Sequence, residues 1–185
     1  RPLTLDIPSY LGSAKTNTQG EVVESKRSPQ QWLAVRYAYM DAKRYARLND
    51  IILYGTQKIW DSSFAGIAML WAKEQGRKEL RSYLDIVYER FWRRDLDIEN
   101  SEVMASLLLE AGVSTDGFLD YLHGPGRLIH DELQGNLHPA GIFGVPTFVI
   151  DGEIYFGREH LPSIRWHLSG CNGKAPDIAY QHFGD

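Results

Sequence analysis

"GVPTFVIDGEIYFGREHL", residues 144–161, reads as two strands, a tight turn between them and the start of a helix. "PTFVID" (146–151) and "EIYFG" (153–157) are rich in β-branched and aromatic residues. Asp151-Gly152 between them is a hairpin signal, because both central positions of a two-residue turn need positive φ. "REHLPSIRWHLSG" (158–170) then reads as a helix, with Pro162 in its first turn and Gly170 to end it. Pro146 heads the first strand and cannot donate a ladder hydrogen bond, a position open to proline only at a strand start or a sheet edge.

Upstream of this hairpin the pattern is helical. "SPQQWLAVRYAYMDAKRYARLND" (28–50) opens with Ser28 as cap, Pro29 at the first helical position and Gln31 to complete a capping box. Leu33, Tyr37, Met40, Tyr45 and Leu48 follow helical spacing along it. "IILYG" (51–55) is a brief apolar stretch read as extended. "DSSFAGIAMLWAKEQG" (61–76) starts at a capping Asp61 or Ser62 and stops at Gly76. Residues 77–97 carry Leu80, Leu84, Val87, Tyr88 and Phe91 on one stripe. Residues 101–113 form another short helix, and 114–137 are helical with a break at Gly124-Pro125-Gly126. At the other end, "RPLTLDI" (1–7) alternates as a short strand, and residues 12–27 read as a loop.

Composition narrows the classes. The 185 residues are 43% apolar and 24% charged, with a formal net charge of −4. No basic stripe interleaved with aromatics points to nucleic acid. No apolar run approaches the roughly 20 residues that span a bilayer. One cysteine, Cys171, rules out an intrachain disulfide, a CxxC pair or a cysteine zinc site built from these residues, and suits a reducing cytoplasm. Cys171 is expected to be inert. His123 and His130, or His160 and His167, share helix faces, but two histidines make no metal site, so no metal is expected and these residues are placed at the surface or partly buried. Trp32, Tyr37, Tyr39, Trp60, Trp71 and Trp92 are expected in the helical core.

Residues 140–170, with "GVPT", a strand, a DG turn, a return strand and "FGREHL", resemble the C-terminal half of a thioredoxin fold of the DsbA-like type. The nearest resemblance is to 2-hydroxychromene-2-carboxylate isomerases and kappa-class glutathione transferases. It implies an α/β, thioredoxin-like fold with a large all-helical insertion: residues 1–11 and 140–170 form the thioredoxin-like part, 28–138 the insertion and 171–185 a tail. It also implies a cis Val145–Pro146 bond, which presents the backbone of Val145 to an extended thiol peptide. The family holds the γ-glutamyl end of glutathione at the "FGREHL" turn, which carries that role here to Arg158 and Glu159. Arg158 is larger than the family's usual residue there, and Glu159 is longer than its usual Asp. Asp61-Ser62-Ser63 has two readings, a cleft-facing group or a helix cap. Lys58 and Asn17 are weaker candidates for meeting a ligand carboxylate.

The family's nucleophile-activating residue, Ser in the isomerases or Cys in redox relatives, stands at the start of a first helix that precedes "RPLTLDI". The numbering opens at Arg1, so the expectation is that the first strand and first helix are missing and that no catalytic residue can be assigned. In that topology a strand lies between residues 1–7 and 146–151, and the slot is expected to be filled by another segment or another copy. The implied activity is that of a glutathione-dependent isomerase or transferase acting on an aromatic or unsaturated-carbonyl small molecule, with a homodimer among the expected assemblies. Two other readings stand beside it: a thiol–disulfide oxidoreductase with its CxxC outside these residues, and a non-catalytic thioredoxin-fold binding module.

Overall fold

The computed structural model describes residues 1–4, 14–16, 22–25, 28–56, 58 and 60–176. The chain divides into two compact units, Arg1–Leu133 and Gln134–Asp185.

The first unit is built on helices. α1 (Pro29–Leu48) begins with the expected capping box: the Ser28 hydroxyl accepts from the Gln31 amide at 3.2 Å, and the Gln31 side chain accepts from the Ser28 amide at 2.8 Å. α2 (Ser63–Gln75) is apolar on most of its circumference and is the central helix, with Gly66, Ile67, Ala68, Leu70 and Ala72 buried. It stops at Gly76, whose φ of 146° also starts α3 (Arg77–Arg93). α3 buries Tyr83 and Val87, and the Tyr83 hydroxyl donates to the Ala65 carbonyl at 2.8 Å. Burial holds that phenol protonated far above its ordinary range. α4 (Ser101–Glu110) is capped by Asn100, whose side chain accepts from the amides of Glu102 and Val103. α5 (Phe118–His123) and α6 (Pro125–Leu137) are separated at Gly124, and Pro125 suits the start of α6 because no helical partner exists there for its missing N–H. Ile67, Tyr83, Met104, Leu107, Leu108, Phe118 and Leu122, each at most 1% exposed, make one dry core.

Three sequence expectations change here. Residues 12–27, read as a loop, contain β1 (Ala14–Thr16) paired antiparallel with β2 (Val22–Ser25). The strands are too short to show alternation, the register shifts between Lys15 and Thr16, and the connection is longer than a two-residue turn, so the usual hairpin signal is absent. Residues 51–55, read as extended, carry no regular secondary structure; the Ile51 amide closes back on the Ala46 carbonyl and the Tyr54 amide donates to the Trp92 carbonyl. The Leu33, Tyr37, Met40, Tyr45 and Leu48 set lies exposed, while α1 packs through Ala46, Trp32, Val35 and Tyr39. A helix with two apolar faces offers the sequence reader no sign of which one is covered. Tyr37, placed in the core with the tryptophans, is therefore a surface residue at 58% exposure, and the other aromatics of that set are half-buried. Finally, His130 is fully buried.

The second unit holds the hairpin. β3 (Thr147–Ile150) pairs antiparallel with β4 (Glu153–Phe156) in the register Thr147↔Phe156 to Ile150↔Glu153. Asp151 and Gly152 turn it at φ of 49° and 87°, the positive pair that a two-residue hairpin needs. The expected helix from residue 158 is a 3₁₀ turn, Arg158–His160, followed by α7 (Leu161–Leu168). Pro162 lies in the first turn of α7, where it costs no hydrogen bond. One face of the hairpin carries half-buried Phe148, Ile150 and Tyr155; the other carries Val149, Ile154 and Phe156, all exposed. Residues 5–7, and with them the pairing expected of strand 1–7, lie outside the described residues, as do Asn17 and the tail from 177 onward.

Candidate functional site

The turn before β3 is shaped by packing. A Cβ on Gly144 would meet the Phe156 ring at 2.8 Å, so only glycine lets the chain pass. Phe143 and Phe156 stack with ring centroids 4.7 Å apart. The Thr147 hydroxyl donates to the Gly144 carbonyl at 2.6 Å and closes the bend over the two residues between. Val145 points outward at 58% exposure, and the Val145–Pro146 bond is cis.

The second expected element is joined to the first. The Gly157 amide donates to the Pro146 carbonyl at 2.9 Å and continues the β3–β4 ladder by one step. Gly157 is buried, at φ 112° and ψ 155°, backbone space that is essentially glycine's alone. The Glu159 carboxylate folds back over it and occupies the place that a Cβ would take. Among the described residues no hydrogen bond or ion pair engages that carboxylate. Arg158 and Glu159 are both exposed, on a 3₁₀ turn ahead of α7 rather than in the helix itself. Val145, Pro146, Arg158 and Glu159 are thus carried on two adjoining turns tied by one backbone bond. The arrangement offers an exposed residue, Val145, in a bend and an unengaged carboxylate on the adjoining turn. Nearby, the Tyr155 hydroxyl donates to Glu153 at 2.8 Å, which raises its pKa, and His167 pairs with Asp151 at 3.2 Å.

In the first unit, Asp61-Ser62-Ser63 serves as a cap and more. The Asp61 carboxylate accepts from the Ser63 amide at 2.8 Å. Ser63, buried, accepts from Arg127 at 2.9 Å. Ser62 reaches the Thr4 hydroxyl at 3.5 Å, Thr4 lies 3.0 Å from Nε2 of His130, and His130 Nδ1 lies 2.9 Å from Asp131. The contact with His130 lowers the Asp131 pKa. Only 2% of His130 is exposed, against the expectation that it lay near the surface. The reason is local: Arg127, His130 and Asp131 share a face of α6, and Gly66 has no side chain, so the imidazole packs where a Cβ would stand 3.4 Å away. A glycine inside the otherwise apolar α2 was the available signal. Lys58 is engaged by the Glu99 carboxylate and lies over the Trp60 ring, with Nζ 4.2 Å from its centroid. Cys171 is exposed, at φ 58°.

A groove of about 670 Å³ also opens in the first unit between α1, residues 50–53 and α3. Its floor is apolar, with Ala46, Leu84 and Trp92, and its charged rim is internally paired, Arg81 with Asp85 at 2.8 Å and Arg93 with Glu89 at 2.9 Å. No cluster of three metal-ligating side chains occurs among the described residues, and none of their helices is long and apolar enough to cross a membrane.

Known proteins share this plan. 2-hydroxychromene-2-carboxylate isomerase from Sphingobium xenophagum is 21% identical over 139 residues, 72% of this chain and 68% of that protein. A solved structure of selenomethionine-labelled 2-hydroxychromene-2-carboxylate isomerase superposes with a TM-score of 0.60 at 19% identity, covering 77% of this chain and 70% of the other. At that identity the likeness is one of fold. The profile of the DsbA-like thioredoxin domain matches residues 15–169, from β1 past the end of α7. The helical stretch, the Val145–Pro146 turn and the β3–β4 hairpin all fall within that match, and the chain belongs to the DsbA-like thioredoxin domain family.

Proposed function

We propose that the chain is a glutathione-dependent protein of the isomerase or transferase type, with the ligand seated on the paired turns of the second unit. The observation that carries this reading is the Gly157–Pro146 hydrogen bond, which joins the bend of exposed Val145 to the turn bearing Arg158 and Glu159. An extended tripeptide needs backbone partners for its cysteinyl residue, and Val145 offers them in the manner of strand addition. Its glutamyl ammonium needs an anion, and the unengaged Glu159 carboxylate is one. Arg158 lies one residue away and brings positive charge toward the glutamyl carboxylate. Bound glutathione would supply a thiol to a small aromatic or unsaturated-carbonyl substrate. The 21%-identical isomerase supports that substrate class, and none of the described residues is assigned a catalytic role. The domain plan that accompanies this reading places residues 1–11 and 140–170 in the thioredoxin-like part and 28–138 in the insertion.

The test is calorimetric titration with reduced glutathione, alongside NMR of the amides at 145, 157 and 159. Binding with shifts confined to those amides is expected. Glu159→Ala should weaken it about tenfold, the low end for losing a charged hydrogen bond at an exposed site. Absence of heat and of shifts at millimolar glutathione would sink the reading. Amide shifts at 145 with an extended cysteine-containing peptide, without glutathione affinity, would favour the oxidoreductase alternative.

A further inference from the structure

We propose that Thr4 is a reactive hydroxyl, activated by His130 and Asp131, that accepts the acyl group of an activated carboxylic ester. The site lies wholly in the first unit and does not depend on the glutathione reading. Three groups make it, in series. Thr4 Oγ1 lies 3.0 Å from His130 Nε2, and His130 Nδ1 lies 2.9 Å from Asp131 Oδ1. Hydroxyl, imidazole and carboxylate in that order activate an oxygen nucleophile on unrelated folds, and the set is recognised by its geometry rather than by position in the chain.

The donors and acceptors follow from the groups themselves. An ionised carboxylate only accepts, so Asp131 takes the Nδ1 proton. That contact favours the ionised form of Asp131, and Arg127, 3.6 Å away, adds to it. A neutral imidazole has one N–H, so Nε2 is left bare. Thr4 is then the donor in the 3.0 Å contact, with its proton already directed at the base. His130 is 2% exposed, so little water competes for Nε2, and a hydrogen bond there is electrostatically stronger than in water. Thr4 itself is only partly buried, which a reagent arriving from solvent requires. Gly66 makes room for the array. A Cβ there would stand 3.4 Å from Cδ2 of His130 and 3.0 Å from Cβ of Pro2, so this bare point of α2 seats both the ring and the segment that carries Thr4. The Ser62 hydroxyl, 3.5 Å from Thr4 Oγ1, brings a second O–H beside the reacting oxygen, a group of the type that stabilises an oxyanion.

In the step, Thr4 Oγ1 attacks the ester carbonyl carbon as its proton passes to His130 Nε2. The tetrahedral intermediate collapses, the bond from that carbon to the leaving oxygen breaks, and the leaving oxygen takes the electron pair and then the proton from His130. The products are an O-acyl threonine and an alcohol, with the imidazole neutral again.

The test is incubation of the 185-residue chain with p-nitrophenyl acetate, with mass spectrometry of the peptide that contains Thr4. Fragmentation should place one acetyl group on Thr4, apart from any on the amino terminus. Thr4→Ser should keep the label and Thr4→Val should lose it. His130→Gln should slow acetylation of Thr4 about a hundredfold, the low end for loss of a general base. Asp131→Asn should slow it about tenfold, because an amide no longer fixes the imidazole tautomer, and Asp131→Glu should restore part of the rate. Should His130→Gln fail to fold, the Asp131 pair carries the test, since that side chain is more than half exposed. An array that only ties residues 1–4 to α6 would leave Thr4 no more reactive than any other hydroxyl. The absence of acetyl on Thr4 would therefore overturn the proposal, and so would acetylation of Thr4 at the parent rate in Asp131→Asn.

Discussion

The two units solve the problem of apolar surface in opposite ways. In the first, α2 to α5 enclose a core whose largest side chains, Tyr83 and Phe118 among them, are almost wholly out of water. In the second, Leu137 and Ile164 are the buried apolar side chains among the described residues, and Val149, Ile154 and Phe156 stand exposed along one face of a two-stranded hairpin. A lone hairpin is marginal in water, and it gains stability from packing on something else. The polar business differs as well. The first unit sets its buried Ser63 hydroxyl against Arg127 and its buried His130 against Thr4. The second leaves Val145 and Glu159 exposed.

The largest effect that separates them is in truncating an aromatic. Phe118→Ala removes a side chain with 0% exposure and should cost about 3–5 kcal/mol in chemical unfolding. Phe156→Ala removes one that is 41% exposed and stacked on Phe143, and should cost about 1 kcal/mol. Equal costs would break the comparison, because they would mean that the hairpin face is covered in solution.

A middle-sized effect sits at Gly157. At φ 112° an L side chain is strained, and a Cβ would collide with the Glu159 carboxylate. Gly157→Ala should cost about 1–3 kcal/mol and displace that carboxylate, so glutathione binding should fall with stability. Gly152→Ala shares the positive φ but has open space around the new Cβ, so it should cost stability without touching the ligand site. If the two alanines weaken binding equally, the Glu159 turn is not where the ligand is held.

What the sequence made legible follows from how local each signal is. The hairpin register, the capping box at Ser28 and the stops at Gly76 and Gly124 depend on a few adjacent residues, and all are present. The β1–β2 pairing depends on backbone bonds between short polar strands, and nothing in their periodicity announces it. The outward face of α1 and the burial of His130 depend on which neighbour each helix face meets. For His130 that neighbour is Thr4, 126 positions away. The site shows the same division: Val145, Pro146, Arg158 and Glu159 were named from two short motifs, whereas the Thr4–Ser62–Ser63–Arg127–His130–Asp131 cluster was not, because its members come from three distant stretches.

The smallest effect tests whether that cluster stabilises the first unit at all. The hydrogen bond with His130 is the main cause that lowers the Asp131 pKa; slight desolvation opposes it, and Arg127, 3.6 Å away, adds to it. A carboxyl whose pKa is lowered in the fold stabilises the fold when ionised. The contribution is therefore complete above the unfolded value, near 3.8, and is lost as pH falls through the lower folded value. Asp131 is more than half exposed, so solvent screening limits the gain to below about 1 kcal/mol. Asp131→Asn should accordingly be slightly less stable than the parent in urea at about pH 5, and the gap should close as the pH falls well below the unfolded value. A gap that persists unchanged to low pH would mean that the carboxylate charge is irrelevant. The cluster would then hold the first unit through the buried contacts of His130 and Ser63, and the contrast with the open carboxylate of Glu159 would be sharper still.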